Sequence, residues 1–429
     1  MAITIGNTTL PGVSVRQESN SSVGINTTAP ADVGIVGEAD LTNGTASANT
    51  LYTVTTAPQA TRLFGDSPLG RNVVGALQNG AYPIYAVACA TVDVTDEDIS
   101  GLGTTSGTFS NGPLPEDASS ISFTVDSTSL SVVLTLDDPS TKTPASGEVY
   151  VNVHSAEFEL DAAPSTSGTV DYSYLDYTTA LGTIQSEAGN VIDWLGILNE
   201  NSDARNTLQA TVSSLNSSFK PTIGVVGAGT YITDTSAYTN PFDDSHMQVL
   251  YCPRDPDGES LIGAYLGVRG RIGIDQSGMR KRLSGVEGLL RNPTDTEKAD
   301  LDAAKVVVIE AGPRGPRMMN DPTCVDDSNT DELAYNHGLA RLLGDYITLI
   351  VEEISDPYIG RLHTPAARSA LRGEVSQAMR NLLNLNAVTG FEVSVEEISS
   401  TKARLTVGVE LARPLRNIEA VIVGGDVSA

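Results

Sequence analysis

The 429-residue chain has no apolar run of the roughly 18 residues that an α-helix needs to cross a bilayer. Its first residues, MAITIGNTT, contain neither a basic segment nor an apolar core. We therefore expect no secretory signal, synthesis and folding in the cytoplasm, and no membrane binding by this chain.

Cysteine is scarce. Cys89, Cys252 and Cys324 are far apart and odd in number, and no CxxC motif is present. This pattern argues against a disulfide framework and against a zinc site. It favours Cys89 and Cys252 as small, buried apolar side chains.

Lysine is also scarce, with six residues in the chain, and 53 acidic residues outnumber 26 basic ones to give a formal net charge of -27. Such a surface repels itself in dilute buffer, whereas molar salt shortens the Debye length to about 3 Å and removes that repulsion. The composition is typical of a protein from a salt-loving organism, with an ordinary acidic protein as the alternative. Direct binding of nucleic acid is disfavoured, because it requires a basic surface.

A chain of 429 residues is too long for one small core, which predicts two to four domains. The order of apolar patterns predicts a mixed α/β fold. Residues 31–90 read as compact α/β, with helices predicted at Ala57–Phe64 and Asn72–Asn79. Residues 94–175 are rich in Ser, Thr, Asp and Gly and carry alternating strands, which predicts an inserted antiparallel β domain with one wet face.

Beyond residue 176 the α/β pattern resumes. Thr179–Asn199 and Ala204–Leu215 are predicted helices, and Met247–Tyr251 and Val306–Glu310 are predicted buried strands. Near the C-terminus, apolar stripes predict helices at about Glu332–Ile354 and Ala367–Leu385. Two alternating strands follow, and their apolar residues are Phe391, Val393, Val395, Leu405, Val407, Val409 and Leu411.

No residue pattern predicts catalysis. The glycine-rich Gly224–Gly229 lacks the Lys-Ser/Thr of a phosphate-binding loop, and we interpret it as a strand-to-loop turn. "GPRGPR", Gly312–Arg317, could present Arg314 and Arg317 to an anion, although a surface loop in subunit contact is favoured. The four histidines share no metal-binding spacing, and no nucleophile with a base can be assigned. We expect no metal and no cofactor.

One basic group stands out from the acidic background. We interpret it as a set of charges that pair with acids of a neighbouring subunit, with nucleic-acid binding and simple surface solvation as alternatives. Its members are Arg269, Arg271, Arg280, Lys281 and Arg282.

Both ends of the chain carry a short strand beyond the compact regions. Near the start, Pro11-Gly12 precedes the alternating Val13-Ser14-Val15-Arg16, and near the end stands Ala420-Val421-Ile422-Val423. A four-residue strand buries little apolar area alone, and its unpaired backbone groups seek a sheet edge.

Taken together, these segments resemble the tail sheath proteins of contractile phage tails and related contractile injection machines. Four stretches carry the resemblance: "LPGVSVRQES", "APADVGIVGEADLTNGTASANTLYTVTTAPQATRLFGD", "VVGALQNGAYPIYAVACA", and Tyr346–Val423 with "NAVTGFEVSVEE" and "ARLTVGVELARPLRNIEAVIV". The chain departs from the family pattern at Ser14, where an aromatic is common, at Ala81, where a second glycine is usual, and at Ala88–Ala90.

The resemblance implies a structural subunit that polymerises helically around a tail tube, contracts without nucleotide, and meets baseplate and tail terminator proteins. It implies that Val13–Arg16 and Ala420–Val423 are arms that add to a sheet in neighbouring subunits. The candidate acceptor is the sheet of Phe391, Val393, Val395, Leu405, Val407 and Val409. The rival interpretations are an α/β hydrolase and a surface-layer protein.

The predicted organisation places the inner conserved domain in residues 1–93 and 330–429, with residues 94–175 protruding outward. The segments are an N-terminal arm (1–20), the N-terminal part of the core (21–93), the β domain (94–175), a middle α/β domain (176–330), a C-terminal domain (331–415) and a C-terminal arm (416–429).

Overall fold

The structure is a computed structural model that describes residues 31–414, apart from residues 219, 230, 231, 233, 252 and 253. Both predicted arm strands, Val13–Arg16 and Ala420–Val423, lie outside the described residues, as does Cys252. Cys89 and Cys324 are buried free cysteines.

The first described segment contains three strands and two helices: β1 (Val33–Gly37), β2 (Leu51–Val54), α1 (Ala57–Phe64), α2 (Pro68–Asn79) and β3 (Ile84–Ala88). Helix α2 begins one turn before the predicted Asn72. The reason is Ser67, whose hydroxyl oxygen accepts a hydrogen bond from the Gly70 N–H at 3.1 Å and so caps the helix ahead of Pro68. The helix ends at Gly80, whose φ of 99° is left-handed and suits glycine.

Residues 90–176 form a seven-stranded sheet with an apolar core of its own. Phe109 lies in this core, with its ring centroid 5.8, 5.2 and 4.8 Å from those of Phe123, Phe158 and Tyr172. These edge-to-face pairs stabilise the core beyond the burial of their area. The strands are β4 (Ala90–Asp98), β5 (Ser106–Thr108), β6 (Ser122–Val125), β7 (Thr128–Leu134), β8 (Glu148–Asn152), β9 (Glu157–Leu160) and β10 (Gly168–Asp176), in the order β4-β10-β6-β7-β8-β9-β5.

The prediction of a purely antiparallel sheet is wrong at one place, because β7 and β8 run parallel. Residues 135–147 connect them and include a 3₁₀ turn at Pro139–Thr141. This connection has about the dozen residues that a parallel crossover needs. Its composition is that of an ordinary turn, so alternation in the sequence did not reveal the crossover.

The third segment continues an α/β pattern: α3 (Tyr177–Glu187), β11 (Trp194–Ile197), α4 (Ser202–Ser217), β12 (Ile223–Gly227), β13 (Met247–Tyr251), α5 (Ile262–Arg271), α6 (Asp295–Ala303), β14 (Val307–Gly312) and β15 (Gly315–Met318). Its strands join the first three in one sheet with the order β15-β14-β13-β12-β11-β1-β3-β2. Strand β1 pairs in parallel with both β3 and β11.

The described parts of segments 21–93 and 176–330 therefore share one sheet, whereas we predicted the two segments as parts of different domains. All five residues of β1 are buried, and a strand that is buried on both faces belongs inside a parallel sheet. Val33 and Ile35 belong to the apolar cluster that contains α2 and α5, and Val36 belongs to the one that contains α3 and α4.

Two local predictions also differ from the structure. The helix predicted over Thr179–Asn199 ends at Glu187, and its second half contains β11, whose four residues are all buried. Helix α6 was not predicted, although Thr294 and Glu297 carry the spacing of a capping box and form one.

The C-terminal region contains α7 (Gly338–Ser355), α8 (Pro365–Asn384), β16 (Val388–Ser399) and β17 (Lys402–Leu411). Both predicted helices and both predicted strands are present, with α7 starting later than predicted, after His337. Leu342, Leu343 and Ile347 of α7 belong to the apolar cluster of α2 and α5, which anchors this region to the large sheet. Over the described part of the chain, every helix is too short or too polar to cross a membrane.

Candidate functional site

The candidate assembly surface is the hairpin of β16 and β17. The strands are antiparallel and are joined by the two residues Ser400 and Thr401, because Ser399 pairs with Lys402. Period-two alternation predicted this element, and the register places apolar residues opposite one another: Phe391 with Val409, Val393 with Val407, and Val395 with Leu405.

These six predicted acceptor residues lie on one face of the hairpin, and that face packs on α8. Val393 is buried and the other five are half-buried, and all except Val395 pack in or against the apolar cluster that contains α8. Val375, Met379 and Leu382 are the buried residues of α8 beneath them. The side chains therefore hold the hairpin on the helix, and any added strand would meet the backbone at the hairpin's edges.

The edges of the hairpin are open in the described part of the chain. The sheet has two strands, β16 and β17, so each strand has one edge that pairs with no described strand. An unpaired edge presents a row of backbone N–H and C=O groups that can accept a further strand. A two-stranded hairpin is also marginal in stability without a packing partner.

Polar contacts fix the hairpin on α8 and the loop before it. Arg368 forms an ion pair of 2.9 Å with Glu397, and His363 Nδ1 lies 3.2 Å from the Ser400 carbonyl oxygen. Arg372 Nε donates a hydrogen bond to the Val393 carbonyl oxygen at 3.0 Å. These contacts hold the hairpin against α8 and the preceding loop, and neither of its outer edges pairs with a described strand.

Arg269, which we predicted as an interface charge, is buried inside the subunit. It forms an ion pair of 2.8 Å with Asp321, and its guanidinium lies 4.2 Å from the ring centroid of Trp194. Burial would raise the pKa of Asp321, but the Arg269 charge and hydrogen bonds from Gln248 and the Gly278 N–H hold that pKa below its ordinary value. Arg269 is therefore a structural residue, and it is not available to a neighbouring subunit.

The other predicted interface charges reach the surface and differ in their contacts. Arg280 is paired with Glu310 at 2.5 Å, and Lys281 Nζ lies 2.8 Å from Gln276 Oε1. Arg271 is exposed at the end of α5, and Arg282 is exposed beside Gly315.

Two buried ion pairs were missed by the sequence reasoning. Arg341 and Asp345 lie 2.6 Å apart on α7, and Arg254 binds Glu200 through two hydrogen bonds of 3.1 Å. The i, i+4 spacing could have revealed the first pair, whereas no local signal connects Arg254 with Glu200. Both pairs are internal, so neither binds a neighbouring subunit, and loss of one partner would leave a buried charge without its counter-ion.

Chemistry-bearing residues are not gathered at one place. The described residues contain no group of three or more His, Cys, Asp or Glu residues placed to hold a metal ion. Gly224–Gly227 belongs to β12, and Gly312–Arg317 spans the turn between β14 and β15. Burial raises the pKa of Cys324 to about 12, which leaves its thiol protonated.

No family model and no curated protein matches the chain. Solved structures do match it. The sheath of an extracellular contractile injection system, the PVC complex in its contracted state, is 14% identical, with a TM-score of 0.59 over 99% of each chain. The contracted helical sheath of the anti-feeding prophage is 14% identical, with a TM-score of 0.57 over 98% of this chain and 100% of that one.

A sheath tail protein from Desulfitobacterium hafniense is 12% identical, with a TM-score of 0.54 over 92% of this chain and 99% of that one. The likeness therefore extends over the full length of solved sheath subunits, and the chain has their multi-domain α/β fold.

Proposed function

We propose that this chain is the sheath subunit of a contractile tail, which polymerises helically around a tail tube and contracts to drive the tube through a cell envelope. The observation that carries the proposal is the full-length likeness to contracted sheath subunits, which covers 99% of both chains in one case. Contraction would use no nucleotide, because the contracted lattice makes the more favourable subunit contacts.

The open hairpin supports assembly through strand exchange. In the proposed lattice, Val13–Arg16 and Ala420–Val423 reach neighbouring subunits and pair with the free edges of β16 and β17. Such a head-to-tail contact does not close on itself and propagates as a helix. Residues 94–175 would protrude outward, away from the tube.

The proposed partners are further copies of the chain, the tail tube, the baseplate and a tail terminator. We place the subunit in a viral tail that is assembled in the host cytoplasm. The alternative is the sheath of a non-viral contractile injection system.

Salt at molar strength should favour this assembly, as in a halophilic particle. A subunit of net charge -27 repels its neighbours over a Debye length of about 30 Å at 0.01 M salt, but over only about 3 Å at 1 M salt. Burial of apolar area at the interfaces persists at both salt concentrations.

Negative-stain images of the purified protein across a salt series test the proposal. We expect wide hollow tubes in molar salt that dissociate on dialysis to dilute buffer, with circular dichroism to separate disassembly from unfolding. A folded protein that stays monomeric at every salt concentration would contradict the sheath function. Tubes that form best in dilute buffer would retain the sheath function and overturn the halophilic interpretation.

A further inference from the structure

A basic surface lies beside β15, the edge strand of the eight-stranded sheet. Residues 280–283 extend the sheet beyond β15: the Arg280 N–H donates to the Met318 carbonyl oxygen at 2.8 Å, and the Leu283 N–H donates to the Pro316 carbonyl oxygen at 2.9 Å. This edge therefore carries Arg280, Lys281 and Arg282 next to Arg314 and Arg317, in a chain whose net charge is -27.

Three of the cations near this edge have an acidic partner within the subunit. Glu310 alone pairs with Arg280 at 2.5 Å, Arg317 at 2.8 Å and Lys298 at 3.1 Å. Arg282 and Arg314 differ, because neither forms a salt bridge with any residue that the structure describes, and both are exposed.

Arg282 and Arg314 line the same groove. It has a volume of about 450 Å³, and the other residues along it are Gly285, Val286, Glu287 and Gly315. Two guanidinium groups on one groove can each donate paired N–H bonds to a carboxylate.

The groove is held in shape by buried contacts. Asn79 is 1% exposed, and its side-chain amide binds the backbone of Ser284 twice, accepting from the N–H at 2.7 Å and donating to the carbonyl oxygen at 2.9 Å. Arg282 lies against Gly315, whose φ is 107°; a Cβ at this position would lie 3.2 Å from Arg282 Nε. A site that is shaped before binding loses less free energy when it orders a partner.

The charges of the groove select its occupant. Glu287 lines it as well, and a neighbouring carboxylate disfavours a free multivalent anion such as phosphate. A single carboxylate carried on a protein loop has a smaller charge and is repelled less by Glu287. Every further copy of this chain presents such groups, because acids outnumber bases by 53 to 26.

We propose that the groove of Arg282 and Arg314 receives a carboxylate-bearing loop of a second copy of this chain. The inference rests on the proposed self-assembly and names a lattice contact other than strand exchange by the arms. Charge complementarity between one basic groove and an acidic subunit would then set the register of neighbours, while apolar contacts and paired strands supply most of the affinity.

The test compares four proteins by light scattering and negative stain at moderate salt: the natural chain, Arg282→Glu/Arg314→Glu, Arg282→Lys/Arg314→Lys, and the control Arg62→Glu/Lys142→Glu. The control makes the same change in net charge at α1 and in the β domain, outside the groove. We expect the groove reversal to raise the critical concentration for tubes about tenfold or more. The control should assemble nearly as the natural chain does, and the lysine variant, which keeps both charges but cannot donate paired N–H bonds, should fall between the control and the groove reversal.

Each other outcome is informative. If the natural chain forms no tubes at any salt concentration, the proposed function itself fails. If it forms tubes and the groove reversal does so at the same concentration, or if the control loses tubes equally, the groove proposal is overturned. Should the double glutamate variant fail to fold by circular dichroism, Arg282→Gln/Arg314→Gln replaces it under the same criteria.

Discussion

The seven-stranded sheet of residues 90–176 and the hairpin of β16 and β17 differ in what lies at their centres. The seven-stranded sheet encloses Phe109, Phe123 and Phe158, and its apolar cluster is separate from the two clusters of the large sheet. The hairpin has no separate cluster, because Val393 and its neighbours belong to the core that includes α7 and α8.

The difference shows which β structure is complete within one subunit. An enclosed aromatic core stabilises a domain without help from outside. A two-stranded hairpin with open edges can gain stability from strands that arrive from elsewhere. We therefore expect changes in the hairpin's proposed partners to affect assembly, and changes in the seven-stranded sheet to affect the subunit alone.

Deletion of residues 1–19 should have the largest effect on assembly. If the N-terminal arm supplies a strand to a neighbour's hairpin, the truncated subunit should fold but form no long tubes. Electron microscopy measures tube length, and circular dichroism measures folding. A truncated protein that cannot fold as a monomer would show that these residues belong to the subunit's own core.

The sequence predicted the hairpin well and the large sheet less well, for physical reasons. Phe391, Val393 and Val395 alternate with polar residues, because one face is covered and the other is wet, and this leaves a readable period. Strand β11 is buried on both faces, so Trp194–Ile197 carries no alternation and continues the helical pattern before it.

Long-range pairs were also invisible in the sequence. Arg269 was assigned to a surface patch from its proximity to Arg271 and Arg280, but Asp321, 52 positions away, neutralises it in the interior. The pairing of β1 with β11 likewise joins Val33 to Trp194 across the whole inserted domain. Sequence proximity predicts charge clusters, whereas topology decides which members are buried.

Phe158→Ala should test the independence of the seven-stranded sheet. Phe158 is 1% exposed, and removal of a buried phenylalanine ring costs about 3–5 kcal/mol in unfolding free energy. We expect limited proteolysis to cut the variant within residues 90–176 more readily than it cuts the natural chain. Tube formation should be retained.

Leu134→Ala, on a side chain that is 40% exposed, is the control for Phe158→Ala and should change proteolysis little. If Phe158→Ala abolished tubes while the rest of the chain stayed folded, the seven-stranded sheet would be part of the lattice.

Glu38→Gln should report on the joint between the seven-stranded sheet and the rest of the subunit. Burial, together with the charges of Glu116 and Asp117, raises the pKa of Glu38 from 4.5 to about 7, although the Glu116 N–H and Arg71 oppose the shift. Because the folded-state pKa is the higher one, the stability that Glu38 contributes is present below pH 4.5 and is lost as the pH rises through about 7.

Glutamine keeps an oxygen that can accept the hydrogen bond from the Glu116 N–H, which lies 2.9 Å from the carboxylate. The variant should therefore gain about 2–3 kcal/mol in unfolding free energy at pH 8.5 and nothing near pH 4. Urea unfolding at both pH values measures this, with Glu187→Gln on the exposed end of α3 as the control. An equal effect at both pH values would show that burial of charge is not the cause.

Replacement of residues 94–175 by a short Gly-Ser linker should have the smallest effect on assembly. The ends to be joined are close, because Ala90 pairs with Asp176 and Asp93 pairs with Ser173 in the β4–β10 ladder. Asp176 must be kept, since its carboxylate accepts from the Thr179 N–H at 3.0 Å and caps α3.

The linker variant removes Glu116 and Asp117 from Glu38 and opens its surroundings to water, so both the burial and the repulsion that raise its pKa should weaken. We therefore expect normal tubes and, in this background, a smaller gain from Glu38→Gln at pH 8.5 than in the full chain. Electron microscopy and the same urea titration provide the two measurements. Folded subunits without tubes would place the seven-stranded sheet among the lattice contacts. The contrast between the two structures would then be lost, because the sheet as well as the hairpin would contact neighbouring subunits.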